Sequence, residues 1–307
     1  MNPVNCIDTN AATLALGVCE IEYMYMNNKL YRPIQKEQAD WMNSICSDRW
    51  TIKHWINGKD AVLDAQKIGL GAEVMYGAVA VENNDPTAYV LFIRGTESFI
   101  EWVEDAELSL IEEPESKSKV EFGFFSVYQS LTVDGVPLRD WVKLNLLSID
   151  NIKITVVGHS LGSAVSCYVA AFIAKDSIAL DKDPTRLITF ACPKPGDCKF
   201  SIFMADNIAC NSEVYNYERD IVPKLPPFDD FVDPPNVKIL KADSLVKIPD
   251  NPISNHLLPA YEALLDPAFI SALSASGIMA VFENGKLSLK SIGSAIKSGW
   301  KVIRSYL

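Results

Sequence analysis

The chain has 307 residues, 49% of them hydrophobic and 22% charged, a composition that folds around a sizeable core and is unlike that of a disordered segment. Its formal net charge of -11 argues against general nucleic-acid binding, because no bulk positive field exists to attract phosphates. Seven cysteines, odd in number and widely scattered, do not describe a disulfide-stapled fold, and the three histidines, at 54, 159 and 256, form no paired metal-ligand spacing.

In chain order, the first residues lack the basic start and continuous apolar core of a leader peptide, and no run of 18 apolar residues follows anywhere. Both point to a soluble, cytoplasmic protein by default, with release by a signal-independent route as the alternative. Residues 9–26 read as a helix with Leu14, Val18 and Ile21 on one side. Residues 33–55, with Trp41, Met42, Ile45, Trp50 and Trp55, read as a second helical region that covers a sheet. Two strands are predicted at 74–81 and 88–93, separated by the turn residues Asn83, Asn84, Asp85 and Pro86. Residues 97–121 hold nine acidic residues and two lysines, which reads as a solvated face or loop.

Residues 123–148 predict a helix broken near Gly135 and Pro137. A short buried strand at 153–157 runs straight into Gly158, an apolar helix occupies 163–174, and a further strand lies at 187–191. Strand, helix, strand in this order is the pattern of a parallel, right-handed βαβ unit. Another strand is predicted at 213–217, then a proline-rich loop at 223–235 and sheet-edge segments around 237–248. The units between 74 and 256 imply one α/β domain with a mostly parallel central sheet flanked by helices. Beyond residue 285 the composition changes. Leu289, Ile292, Ile296, Trp300, Ile303 and Leu307 form an apolar stripe, with Lys290, Lys297, Lys301 and Arg304 off it. The chain thus divides into a domain at 1–285 and a basic amphipathic helix or tail at 286–307. The tail packs on the domain or docks on a membrane surface or a protein partner.

The sharpest motif is VVGHSLG at 156–162, in which Gly158, Ser160 and Gly162 make G-x-S-x-G between a predicted strand and a predicted helix. A serine on so tight a turn is lifted above the sheet edge, and glycines on either side let backbones approach where a Cβ would clash. The N-terminal amides of the next helix then lie near the hydroxyl, where they can face a developing oxyanion. A serine hydroxyl needs a base. His54 precedes the sheet core and the turn aims His159 elsewhere, so His256, downstream of Ser160, is the candidate. Asp220 and Asp197 both follow strands after the serine and are the candidate acids. One oxyanion donor is the backbone N–H of Leu161, directly after the nucleophile.

Several blocks together resemble the class 3 lipases, the fungal-lipase-like branch of the α/β-hydrolases. They are FIRGTESFIEWVEDAEL at 92–108, VVGHSLGSA at 156–164, ITFACPKPGD at 188–197, YNYERDIVPKLPP at 215–227 and NHLLPAY at 255–261. The similarity runs over residues 10–262. It implies an α/β-hydrolase fold, a triad of Ser160, Asp220 and His256, and a second oxyanion donor at Thr96. It gives Asp220 preference over Asp197, and makes Trp102 and Asp105 supports of the loop after Thr96. Two positions depart from the family pattern. Ser163 stands where a glycine is usual, and Phe122 where a histidine is often found.

The chemistry implied is serine ester hydrolysis through an acyl-enzyme, with no metal or organic cofactor and a lipid or small ester as the partner molecule. The resemblance suggests acylglycerols or phospholipids, and the carboxylates after Thr96 favour a neutral lipid or a soluble ester. Phe99, Ile100, Trp102 and Val103 are candidates for a lid. A phospholipase or acyltransferase with the same triad, and a non-catalytic hydrolase relative that serves as an interaction module, are the alternatives.

Overall fold

The computed structural model describes residues 9–28, 49–59, 73–95, 109–182, 184–242, 248 and 252–266. Helix α1 (Thr9–Asn28) comes first, followed by strands β1 (Trp50–Lys59), β2 (Glu73–Glu82) and β3 (Asp85–Ile93). A small hairpin of β4 (Leu110–Glu113) and β5 (Ser118–Glu121) leads into α2 (Phe122–Ser130), the short strands β6 (Thr132–Val133) and β7 (Val136–Pro137), and α3 (Leu138–Asn145). Then come β8 (Lys153–His159), α4 (Leu161–Ile178), β9 (Thr185–Phe190), α5 (Cys198–Ile208), β10 (Ser212–Tyr217), β11 (Val237–Leu240), α6 (Pro252–His256) and α7 (Leu258–Leu265).

Among the described residues the main sheet has the order β11-β10-β9-β8-β3-β2-β1-β6-β7. From β3 through β8, β9 and β10 to β11 every pairing is parallel, whereas β1, β2 and β3 pair antiparallel. This is the α/β-hydrolase arrangement, a mostly parallel sheet flanked by helices. The period-2 alternation of strand side chains divides two cores. Leu91 and Ile93 join Ile154, Val156 and Leu187 beneath α2, α3 and α4. Val90 and Phe92 join Val157, Ile188, Phe190 and Tyr215 beneath α1 and α7. In β2 the parity switches at Gly77, beside a register shift in the β1 ladder between Ile56 and Asn57, so that Tyr76 faces one core and Ala78 the other. A Cβ at Gly77 would collide with the Phe92 carbonyl oxygen.

Helix α4 is buried on nearly every side, from Leu161 to Ala174. By length and composition it could cross a bilayer, but 83% of it lies inside the protein. It is the central helix of the βαβ crossover, apolar all round because it is covered all round.

Two expectations are corrected here. Residues 50–55 are not helical: they open β1, which is hydrogen-bonded to β2 from Trp50 opposite Glu82 onward. Trp50 is buried and packs edge-on against Phe92 with ring centroids 5.4 Å apart. Aromatic residues serve either element, and here the ladder to β2 decides between them. The acidic run is not simply a solvated face either, since its last part forms the β4–β5 hairpin with two buried carboxylates. Glu113 accepts from the N–H groups of Glu115 and Ser116 at 3.1 and 2.6 Å, and Glu121 caps α2 by accepting from Phe124 N–H at 2.6 Å. Residues 33–48, 97–108 and 286–307, with the lid candidates and the basic tail, lie outside the described residues.

Burial of Glu121 pushes its carboxyl up to about 7 from 4.5, against the pull of the N–H groups it accepts from. The folded state therefore holds this proton more tightly than the unfolded chain, so its contribution to stability falls as pH rises from 4.5 to about 7. Glu121→Gln keeps an acceptor but removes the titration. Its unfolding free energy relative to wild type, read from urea melts, should improve by up to about 3 kcal/mol between acid pH and about pH 8. A pH-independent difference would contradict the buried-carboxylate account.

Candidate active site

The parallel strands β3, β8, β9, β10 and β11 all end on one side of the sheet, and Ser160, Asp220 and His256 come together there. That is the side on which open α/β sheets hold their ligands. Ser160 connects β8 to α4 with φ 56° and ψ -129°, a backbone that non-glycine residues rarely adopt. Neighbouring bonds hold it there. Ser160 N–H donates to the Phe190 carbonyl at 3.0 Å, and Ser163 donates to the Ser160 carbonyl through its N–H at 2.9 Å and to Phe190 through its hydroxyl at 2.7 Å. Ser163, a departure from the family pattern, thus ties the helix start to the end of β9.

The flanking glycines allow the close approach that the motif requires. A Cβ at Gly158 would strike the Gly162 carbonyl and the Ser166 hydroxyl, and one at Gly162 would strike the carbonyls of Ile93 and Arg94. Arg94 secures that strand end from within. Its Nε donates to the Met75 carbonyl and its Nη1 to the Gly95 carbonyl, both at 2.6 Å, and the guanidinium lies over the Tyr76 ring. Leu161 is the first residue of α4, so its N–H is one of those left without an intrahelical acceptor. Thr96 lies outside the described residues, as do Trp102 and Asp105.

Ser160 occupies the N-cap position of α4, yet its side chain caps nothing. Its hydroxyl is 2.8 Å from Nε2 of His256, whose Nδ1 is 2.9 Å from Oδ2 of Asp220. A carboxylate at Nδ1 fixes the proton there and leaves the Nε2 lone pair to accept from the serine. Asp220 is fully buried, and its oxygens are satisfied: besides His256, Tyr261 donates its hydroxyl at 2.7 Å and Val222 its N–H at 2.9 Å. Asp197, the competing acid, caps α5 by accepting from Phe200 N–H at 2.9 Å. His54 lies on β1 beside Asp134, with its Nδ1 2.7 Å from the carboxylate.

The structure adds residues that the sequence did not mark. Tyr261 steadies Asp220, and Glu22 of α1 meets His159, whose Nδ1 lies 2.7 Å from Glu22 Oε1. The same oxygen accepts from Gly95 N–H at 2.8 Å. One signal was legible: Glu22 falls four residues after Val18, on the buried stripe of α1, where an acid is out of place without a partner.

Comparison with known proteins agrees with this fold. A family model described as Lipase (class 3) matches residues 90–230. A lipase from Rhizomucor miehei is 30% identical over 173 residues, which is 55% of this chain and 46% of that protein. The "Secreted mono- and diacylglycerol lipase 1" of Fusarium solani is 24% identical over 163 residues, 52% of this chain and 45% of its own length. The chain therefore spans about half the length of these relatives. The solved Rhizomucor miehei lipase propeptide complex superposes with a TM-score of 0.56 at 20% identity, covering 76% of this chain and 68% of that one. The relatives also contradict the expected cytoplasmic address, because the Fusarium solani protein is named as secreted. That expectation rested on the lack of a leader-like or spanning segment, and neither feature reports a compartment. Just under half of this chain, residues 90–230, is thus similar to the class 3 lipase family, and the fold around that segment is shared with solved fungal lipases.

Proposed function

We propose that the chain is a serine carboxyl-ester hydrolase that cleaves acylglycerols or related lipid esters through an acyl-enzyme. The observation that carries this reading is the continuous buried contact from Ser160 Oγ through His256 to Asp220, at 2.8 and 2.9 Å. The first distance is short enough for proton transfer without prior rearrangement, and the second is a hydrogen bond that holds the ring in place.

In the first half-reaction Ser160 Oγ bonds to the ester carbonyl carbon as its proton passes to His256 Nε2. Asp220 holds the Nδ1 proton in place and stabilises the imidazolium, without accepting that proton. The carbonyl oxygen takes on negative charge, and the N–H groups of Leu161 and Thr96 are its assigned donors. In a comparable hole one donor contributes roughly 3 to 4 kcal/mol to the transition state. His256 then protonates the departing alcohol. Water, deprotonated by the same nitrogen, attacks the acyl-enzyme and releases the acid. Lipid esters are favoured as substrates because the relatives reported above are named as lipases.

Labelling by a fluorophosphonate probe, followed by a chain-length series of p-nitrophenyl esters, tests the reading. Wild type should label and hydrolyse, and Ser160→Ala should do neither. Asp220→Asn should label slowly and lose about 10⁴-fold in kcat, because the amide no longer enforces the reactive tautomer. Tyr261→Phe removes one hydrogen bond from the buried Asp220 carboxylate and should lower the unfolding free energy by roughly 1 to 3 kcal/mol in urea melts. A wild-type protein inert to every ester and to the probe would leave a non-catalytic relative. Acyl transfer to an added alcohol in place of hydrolysis would make the chain an acyltransferase, and preference for phospholipid vesicles over acylglycerol emulsions would make it a phospholipase.

A further inference from the structure

His159 is adjacent to the nucleophile but takes no part in the relay, and both of its ring nitrogens face acceptors. Nδ1 is 2.7 Å from Glu22 Oε1, and Nε2 is 2.9 Å from the backbone carbonyl of His256. A carboxylate and a carbonyl accept only, so both nitrogens carry protons when both bonds are made, and the ring is an imidazolium. Burial opposes that charge, but the Glu22 carboxylate outweighs it and raises the pKa of His159. For Glu22 burial acts upward, while His159 and the Gly95 N–H act downward and prevail.

The pair joins three separate segments of the site. Glu22 reaches from α1 across 137 residues of chain to His159 at the end of β8, and across 73 to Gly95 after β3. Through His159 the link continues to the main chain of His256. The two imidazole rings lie 4.8 Å apart, tilted by 31°. Gly95 is wedged between the carboxylate and the nucleophile: a Cβ there would lie 2.9 Å from Glu22 Oε1 and 3.0 Å from Ser160 Cβ.

We propose that Glu22, acting through His159, is a positioning residue that holds the backbone of His256 and the turn at Gly95 in register with Ser160. The proposal rests on the ester-hydrolase reading above. Among the described residues, the charged and titratable groups facing His159 are Glu22 from α1, Asp220 after β10, His256 of α6 and Tyr261 of α7. As pH rises through the raised pKa of His159, the ring loses one donor and one of its two links. Wild-type turnover should therefore decline on the alkaline side.

Steady-state kinetics on a short p-nitrophenyl ester across pH tests this, with thermal melts alongside. Glu22→Gln should lower kcat roughly 10- to 100-fold, the scale on which misplacement of reacting groups is felt. KM should stay within about twofold, the alkaline limb should move to lower pH, and Glu22→Asp should recover part of the rate. Combined with His159→Asn, Glu22→Gln should cost no more than the larger single effect, because the two act as one unit. Glu22→Gln with wild-type kcat and an unmoved alkaline limb would overturn the proposal, whatever its melting temperature, and so would additive losses in the double variant. A wild type that neither hydrolyses nor labels would overturn the parent reading and this one with it, and the unmutated control alone separates that case from the others.

Discussion

A helix can lie flush on the strand that feeds it only where the atoms at the crossing are small. At residues 158–162 they are. Gly158 admits the first turn of α4 to β8, and Gly162 admits the same turn to the carbonyls at the end of β3. The connecting residue is thereby driven into a left-handed backbone, with φ 56°, and its hydroxyl stands clear of the helix it would otherwise cap. Without that contact the β3 end, the serine and the helix amides would not converge. The strain is offset by hydrogen bonds from Ser160 and Ser163 to the end of β9, and by the burial of α4 along most of its length.

The second constraint is electrostatic. Two carboxylates, Asp220 and Glu22, lie near one another's histidines in a largely water-excluded region, and a buried charge is tolerated only when it is paired and hydrogen-bonded. Asp220 meets this with three donors, Glu22 with His159 and the Gly95 N–H. The two histidines divide the work. His256 lies between Ser160 and Asp220, while His159 faces a carboxylate and a main-chain carbonyl through its two nitrogens. Under the proposals above, the same ring serves side by side as a proton relay and as a cationic tie, according to what faces it.

Much of the site lies in short-range patterns. The strand–turn–helix around Ser160 was readable because glycine spacing and the switch from strand to helix are local features. The order serine, aspartate, histidine followed from the chain itself, and with only three histidines the base could be reached by elimination. Choosing Asp220 over Asp197 took family likeness, since both follow strands. The structure gives the physical ground: one aspartate meets His256, and the other caps α5. Local pattern failed where partners are distant. Trp50 and Trp55 suited a helix until β2 claimed them for a ladder, and the acids at 113 and 121 looked like solvent-facing charge until their turns enclosed them.

By itself, then, the amino-acid order determined the alternation of strand and helix, the elbow with its serine, and the pool of side chains from which a triad could be drawn. These depend on periodicity and on steric rules acting within a few residues. Only tertiary structure decided that Glu22 would meet His159, that Tyr261 would steady Asp220, and that β1 would be a strand. Each of those outcomes is a contact between groups dozens of residues apart, stabilised by burial and hydrogen bonding that exist only once the sheet has assembled.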